Sequence, residues 1–112
     1  EFGAKFAPAS GDGTMSDNFD IVVNATPLGT LGPRSKFTVL TEPKLEGLKL
    51  VYDLVYNPAE TRLMNEARKA GVTAVGGMEM LLEQGARQFE IWTGETAPKE
   101  PMRAAIEAKL NQ

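Results

Sequence analysis

The run Ile21-Val22-Val23, between Asp20 and Asn24-Ala25, is the feature that most constrains the fold of this chain. It is compact and β-branched, and it lacks the alternation of apolar and polar residues that marks a strand with one solvated face. Strands that are covered on both faces of a parallel sheet have this composition. The sequence therefore predicts a strand over residues 20–25, buried on both faces, in a parallel α/β sheet.

Two further segments are typical of strands. Leu48 to Val55 is the longer one, and Asn57-Pro58 ends it because proline cannot continue a central strand. Val72-Thr73-Ala74-Val75 is the shorter one. Residues 26–47 are dense in Pro, Gly and Thr, so we expect a connection without a long helix there.

Helix signals follow each of the last two strands. In the first of these helices, Thr61 is a candidate N-cap, and Gly71 can end the helix in the left-handed conformation. The apolar face of this helix comprises Leu63, Met64, Ala67 and Ala70. A longer helix is predicted from about Met78 to Trp92, ended by Thr93-Gly94. Its predicted apolar stripe is Met78, Leu81, Leu82, Phe89 and Trp92.

Charged residues are predicted on the polar face of that longer helix, and one more helix is predicted near the end of the sequence. Glu79, Glu83, Arg87 and Glu90 are expected opposite the apolar stripe, with Glu83 and Arg87 at the i,i+4 spacing. After a proline-containing linker, Met102 to Leu110 predicts a last amphipathic helix carrying Met102, Ile106 and Leu110. The order of elements predicts a partial Rossmann-like, doubly wound parallel sheet with C-terminal helices.

Composition excludes several kinds of chemistry within this chain. It has no cysteine and no histidine, which excludes disulfides, thiol nucleophiles, zinc-finger spacing and a Ser-His-Asp triad. No carboxylates cluster in a way that suggests a metal site. The net charge of −3 argues against nucleic acid and against an anionic membrane surface. Without an apolar run of spanning length or a signal-peptide pattern, a cytoplasmic protein is the expectation.

The glycine-rich fingerprint that holds a dinucleotide pyrophosphate is absent from the sequence. Gly11-Asp12-Gly13 is the nearest match, but it neither follows an apolar strand nor opens a helix, so we interpret residues 8–18 as a loop. Phe2 to Ala7 suggests the end of a helix, a glycine stop and a short strand. Because the chain starts with Glu1 and not with methionine, we expect either a fragment of a longer protein or a processed chain.

Three segments, in this order and spacing, resemble the shikimate dehydrogenase family. They are Asp20 to Gly29 (DIVVNATPLG), Val51 to Pro58 with Thr61 (VYDLVYNP), and Gly77 to Ala86 (GMEMLLEQGA) followed by Phe89 and Trp92-Thr93-Gly94. The resemblance covers residues 20–94. Gly76 departs from the Asp or Asn common in the family, and Glu79 departs from a small residue, which puts a charge either near the nicotinamide or in solvent.

The resemblance implies an NADP-dependent enzyme that interconverts 3-dehydroshikimate and shikimate. In that family an amino-terminal domain holds substrate and a catalytic Lys–Asp pair, and a Rossmann-like domain holds NADP. Residues 1–94 would be the C-terminal half of the NADP domain, and residues 95–112 a helix that packs on the missing N-terminal domain. No catalytic residue is expected in this chain, which should be inactive alone.

Alternatives in enzyme class and context stay open. One is a quinate/shikimate dehydrogenase, and another is the dehydrogenase end of a fusion with a dehydroquinase. A third is a non-catalytic relative of the dinucleotide-binding domain.

Cofactor contacts are implied for five positions, each with an ordinary structural alternative. Asn24 and Thr26 would lie beside the nicotinamide-ribose, although Asn24 could instead close a turn through its own backbone. Leu54 would pack on the nicotinamide ring or in the core. The backbone of Gly77 would meet the nicotinamide amide or simply form a turn, and Met80 would line the same pocket or belong to the core.

Substrate contacts are implied for Tyr56 and Gln84. The hydroxyl of Tyr56 and the amide of Gln84 can both bond to a polyol acid. The alternatives are a strand-end aromatic and an exposed surface glutamine. Asp53 is predicted to be structural, hydrogen-bonded to a neighbouring loop or helix start. The whole hypothesis requires that the strand ends at Asn24 and Tyr56, and the helix at Gln84, converge on one cleft.

Overall fold

The computed structural model describes residues 19–112, so the expectations for Phe2 to Ala7 and for the loop 8–18 lie outside the described residues. Three strands and four helices follow one another. They are β1 (Ile21–Asn24), α1 (Glu42–Leu45), β2 (Leu50–Asp53), α2 (Arg62–Lys69), β3 (Thr73–Val75), α3 (Gly77–Thr93) and α4 (Lys99–Leu110). Residues 26–47 contain only the single turn of α1, as predicted.

The three strands form a parallel sheet in the order β1-β2-β3, which confirms the predicted α/β class. Ile21 is opposite Leu50 in the first pair, and Leu50 is opposite Thr73 in the second. All three strands therefore end at the same edge of the sheet. Each of their carboxyl ends leads into a loop or helix there, which is the edge at which open α/β sheets bind ligands.

Among the described residues, one face of the sheet is packed and the other is exposed at β1. The packed face joins strand residues to α1 and α2 in a single core of Val22, Leu40, Leu45, Val51, Leu63, Ala67 and Val72. On the other face Ile21 and Val23 are more than half exposed. The prediction that residues 20–25 are buried on both faces is wrong for this chain, because no described element covers the side chains of Ile21 and Val23.

Helix α2 forms as its end signals predict. The Thr61 side chain accepts a hydrogen bond from the Met64 amide, satisfying one of the free N–H groups of the first turn. Leu63, Met64 and Ala67 are buried on its inner face. Gly71 has φ +72°, so it takes the left-handed conformation expected of a helix stop.

Helices α3 and α4 pack against each other through charged side chains. Lys99 Nζ donates to both carboxylate oxygens of Glu83 at 2.8 Å. Arg103 forms a bidentate ion pair with Glu79. Glu83 and Arg87 have the i,i+4 spacing, but the ion pairs seen are those of Glu83 with Lys99 of α4 and of Arg87 with Glu90, at 3.8 Å. Glu79 is paired with Arg103 while its side chain stays 47% exposed, which agrees with the alternative that its charge lies in solvent.

The apolar stripe of α3 is only partly inside the protein. Leu82 and Ala86 are buried, and Met78, Leu81 and Phe89 are half-buried. Trp92 is 78% exposed, so within this chain it is not a core residue. The helix ends at Gly94, as predicted, with φ +71°.

Helix α4 begins at Lys99, three residues before the predicted start. Pro101 is accommodated because the N–H groups of a first turn have no partner within the helix. Met102, Ile106 and Leu110 are half-buried, and the methyl of Met102 lies 3.2 Å from an ideal Cβ built on Gly85 of α3. Part of this stripe therefore rests on α3, while docking on a further domain stays a prediction.

Candidate functional site

An open cavity of about 500 Å³ lies at the carboxyl ends of β1 and β2. Its two walls are the segments that follow these strands, and the lining residues are Ala25, Thr26, Pro27, Thr30, Leu54, Val55, Tyr56 and Asn57. Three of the predicted site residues, Thr26, Leu54 and Tyr56, are thus brought together. The walls combine apolar surface with the hydroxyls of Thr26 and Tyr56, a mixture that suits a flat ring carrying polar groups.

The fully buried carboxylate of Asp53 lies beneath both walls. Its Oδ1 accepts from Asn24 Nδ2 at 2.9 Å and from the Val55 amide at 3.1 Å. Its Oδ2 accepts from Thr61 Oγ1 at 2.6 Å. These bonds confirm the prediction that Asp53 is structural and hydrogen-bonded to a neighbouring loop and a helix start.

Asn24 uses its side chain within the protein. Its Oδ1 accepts from the amide and the hydroxyl of Thr26, at 3.0 and 2.7 Å, and its Nδ2 donates to the Leu28 carbonyl as well as to Asp53. This is the turn through its own backbone that the sequence left as an alternative. Asn24 is 2% exposed and does not line the cavity, so it shapes the loop that carries Thr26.

The loop after Thr26 is tied to the loop after β2. The Leu31 amide donates to the Asn57 carbonyl at 2.8 Å, and Gly29, with φ +96°, donates to the Arg34 carbonyl. A second, smaller cavity of about 410 Å³ adjoins the first at Thr30 and is also lined by Leu31, Pro33 and Arg34. Among the described residues that line these two cavities, Arg34 is the one that carries a charge.

Gly77 contacts the end of β2 directly. Its amide donates to the Val55 carbonyl at 3.2 Å, and a Cβ at this position would stand 2.3 Å from the Leu54 carbonyl oxygen. The absence of a side chain therefore allows close approach, but the partner seen here is the chain's own backbone. Gly77 thus fixes where α3 starts relative to Leu54 and Val55.

Gln84 and Met80 lie further along α3 and do not line the cavity. Met80 is half-buried and Gln84 is exposed, which matches the alternative of a surface glutamine within this chain. Gln84 is seven residues after Gly77, or about 10 Å along a helix. The prediction required Asn24, Tyr56 and Gln84 to converge on one cleft: the ends of the first two strands do meet at the cavity, but of these three side chains only Tyr56 lines it.

Several lining residues were not singled out from the sequence. These residues lie next to the predicted site residues; they are Ala25, Pro27, Thr30, Val55 and Asn57. The sequence feature that could have identified them is their position directly after the predicted strands.

Across residues 19–112, no helix has the length and apolar character needed to cross a membrane. In the same part of the chain, no three His, Cys, Asp or Glu side chains are grouped as metal ligands.

A parallel sheet with a ligand-sized cavity at the carboxyl ends of its strands defines this chain as part of a Rossmann-like α/β domain. Comparisons with known proteins narrow the class. The family model for the shikimate 5'-dehydrogenase C-terminal domain matches residues 77–107. The shikimate dehydrogenase (NADP(+)) of Archaeoglobus fulgidus is 49% identical over 89 residues, which are 80% of this chain and 33% of that protein.

Solved structures give the same result. A crystal structure of a shikimate dehydrogenase in complex with NADP+ superposes with a TM-score of 0.77 at 39% identity, covering 90% of this chain and 33% of that one. A quinate dehydrogenase from Corynebacterium glutamicum in complex with NAD has a TM-score of 0.71 at 34% identity, covering 80% of this chain and 31% of that one. The chain belongs to the shikimate dehydrogenase family and corresponds to its carboxy-terminal part. It spans about a third of the length of the relatives it matches.

Proposed function

We propose that this chain is the carboxy-terminal part of an NADP-dependent shikimate dehydrogenase of the cytoplasm. The observation that carries the proposal is the cavity in which Thr26, Leu54 and Tyr56 meet at the carboxyl ends of two parallel strands. Family membership supports the same assignment. Hydride transfer between the cofactor and the carbonyl carbon of 3-dehydroshikimate is the chemistry that NADP supplies when bound.

The residues of this chain would bind and orient the reactants. Leu54 would offer an apolar surface to the nicotinamide, with Thr26 on the opposite wall, and the backbone of Gly77 would meet the carboxamide. Tyr56 is 43% exposed at the cavity, so its hydroxyl is free to reach a substrate hydroxyl. Gln84 and Met80, on α3, would complete the site when the amino-terminal domain brings the substrate to this face.

A proton must also move when a ketone is reduced to an alcohol. The family resemblance assigns that step to a Lys–Asp pair in the amino-terminal domain. Neither residue has a counterpart in this sequence. We therefore propose that the chain by itself does not turn over shikimate.

Quinate oxidation is the second candidate, and the similarity to the Corynebacterium glutamicum quinate dehydrogenase favours it. The residues that line the cavity do not separate the two substrates. Both are cyclic acids with several hydroxyls, and Tyr56 could donate to either one. Kinetic comparison of shikimate and quinate would decide between them.

A chimeric enzyme tests the proposal directly. In the chimera, residues 20–112 of this chain would replace the matching carboxy-terminal third of the Archaeoglobus fulgidus enzyme. The remaining part of that enzyme would supply the amino-terminal domain and the glycine-rich loop. We expect NADP-dependent oxidation of shikimate, with quinate and NAD as poorer substrates. Tyr56→Phe should lower kcat/KM for shikimate by roughly tenfold, the usual cost of one hydrogen bond to substrate.

The matched control is Tyr52→Phe, which removes the hydroxyl of the other tyrosine, a β2 residue that does not line the cavity. It should leave kcat/KM unchanged. A folded chimera that turns over neither shikimate nor quinate would contradict the proposal and favour a non-catalytic relative.

A further inference from the structure

We infer that Asp53 is a positioning residue that sets the two walls of the cavity relative to each other. The inference deepens the proposed function and rests on it for its kinetic consequence. Asp53 touches no cavity space itself, since it is fully buried and does not line the cavity. Its effect on a reactant would be exerted through the residues it holds.

Each of the three bonds to Asp53 comes from a different part of the site. Asn24 Nδ2, at 2.9 Å, belongs to the turn that carries Thr26. The Val55 amide, at 3.1 Å, lies between the wall residues Leu54 and Tyr56. Thr61 Oγ1, at 2.6 Å, caps α2. One carboxylate thus joins the end of β1, the end of β2 and the start of α2.

The network extends to the surface of the cavity. Thr26 Oγ1 donates to Asn24 Oδ1, so the hydroxyl on one wall is two hydrogen bonds from Asp53. On the other wall, Val55 is held both by Asp53 at its amide and by Gly77 at its carbonyl. A shift at Asp53 would therefore move both walls.

A carboxylate suits this position and an amide does not. Asn24 Nδ2 and the Val55 amide can only donate, so the Oδ1 position must remain an acceptor. In Asp53→Asn the side-chain NH2 would then face Thr61 Oγ1, which already accepts from the Met64 amide at 3.3 Å. The Thr61 hydroxyl hydrogen would lose its acceptor in a site that is 1% exposed.

The first test needs no enzymatic activity. In the 112-residue chain, Asp53→Asn should speed hydrogen exchange at the amides of Val55 and Met64 by roughly tenfold more than global destabilisation explains. Val51→Ala is the matched control, because it weakens the same strand from a fully buried position that does not line the cavity. Equal, purely global effects of the two variants would overturn the inference.

The second test uses the active chimera. Per folded molecule, Asp53→Asn should lower kcat by roughly 10- to 100-fold, since small misplacements of reacting groups are costly. The isotope effect with deuterated shikimate should rise as hydride transfer becomes slower, and Val51→Ala should change neither quantity. An unchanged kcat and isotope effect in Asp53→Asn would reject the inference while leaving the proposed function intact.

A second pair of variants decides the matter if Asp53→Asn does not fold. Thr61→Val removes the hydroxyl that bonds Asp53, and Thr61→Ser keeps it. We expect the valine variant to show faster exchange at Val55 and the serine variant to behave as the parent protein does. Identical exchange in both would contradict the inference. If the parent chimera itself is inactive, the proposed function fails, and the exchange measurements still test the positioning role.

Discussion

At the scale of single residues, the most demanding position is Gly77. It stands where the start of α3 touches the end of β2, with the Leu54 carbonyl oxygen in the space that a Cβ would need. The neighbouring polar residues Asn24, Asp53 and Thr61 are buried, and each is hydrogen-bonded. The packing of the loops at this edge of the sheet therefore depends on close contacts and hydrogen bonds made by a few individual residues.

Replacing Gly77 with alanine should destabilise the fold. The added Cβ would lie 2.3 Å from the Leu54 oxygen and 2.6 Å from its carbonyl carbon, so backbone must shift. We expect a loss of about 1–3 kcal/mol in the free energy of unfolding, measured by urea denaturation. Gly85→Ala is the control, because its Cβ would meet only the mobile end of Met102 and alanine favours a helix. Equal stability of the two variants would contradict this explanation.

Gln84 offers the sharpest test of a substrate contact that this chain alone does not display. In the active chimera, Gln84→Ala should raise the KM for shikimate by at least about tenfold and leave the KM for NADP nearly unchanged, because one amide-to-hydroxyl contact would be lost. Gln88, another exposed glutamine of α3, provides the control substitution. An unchanged KM for shikimate would leave Gln84 as a surface residue only.

At the scale of elements, α3 and α4 form a pair joined by ion pairs between the helices. Glu79 meets Arg103, and Glu83 meets Lys99. The hydrogen bond from Arg103 lowers the pKa of Glu79, and the same hydrogen bond is the main cause that raises the pKa of Arg103, to which the charges of Glu100 and Glu107 add. Both ion pairs join the helices from half-exposed positions, and the half-buried apolar stripe of α4 adds contacts such as that of Met102 with Gly85.

The Glu79–Arg103 pair should make α4 docking depend on pH. Because the pKa of Glu79 is lowered in the folded state, its contribution is present above the ordinary pKa of a glutamate and is lost as pH falls through the lowered value. Glu79→Gln should therefore reduce the urea midpoint at about pH 7, and the reduction should become smaller as the pH falls below the ordinary pKa of a glutamate. Because Glu79 is 47% exposed, the reduction will be small.

Glu95→Gln is the control for that experiment, since it makes the same change of charge at an exposed glutamate without a recorded ion pair in the described chain. Its midpoint should stay close to that of the parent protein at both pH values. A Glu79→Gln effect of the same size at every pH, with no decrease as the carboxylate becomes protonated, would show that the ion pair is not its source.

At the scale of the whole molecule, the described part of the chain is a three-stranded parallel sheet with helices. One face of β1 is open through Ile21 and Val23, and the chain spans a third of its relatives' length. The cavity at the strand ends offers a surface for a ring, but the sequence has no glycine-rich turn to hold a pyrophosphate. Most of the binding energy for a dinucleotide is therefore expected to come from outside this chain.

The isolated chain should accordingly bind NADP weakly. Isothermal titration calorimetry is expected to give a Kd in the millimolar range, about 4 kcal/mol of binding free energy, against micromolar binding by the chimera that contains the glycine-rich loop. The same titration with nicotinamide mononucleotide separates the ring end from the phosphates. Micromolar binding of NADP by the 112-residue chain would contradict the assignment of the phosphate site to another segment.

The sequence by itself determined the features that depend on local physics. The three strands, the Thr61 cap of α2 and the glycine stops at Gly71 and Gly94 were all predicted, because composition, capping and left-handed turns act within a few residues. The structural role of Asp53 also followed, since a carboxylate inside a strand pattern requires nearby donors.

Only the tertiary structure decided the contacts between segments that are distant in the sequence. The open face of β1, the pairing of Glu79 with Arg103 and of Glu83 with Lys99, and the close contact of Gly77 with Leu54 all join parts of the chain that no local pattern relates. Burial and ion pairing depend on which elements pack together, and packing is a property of the assembled fold. The same reason explains why the exposure of Gln84 was not predictable from its place on an apolar helix flank.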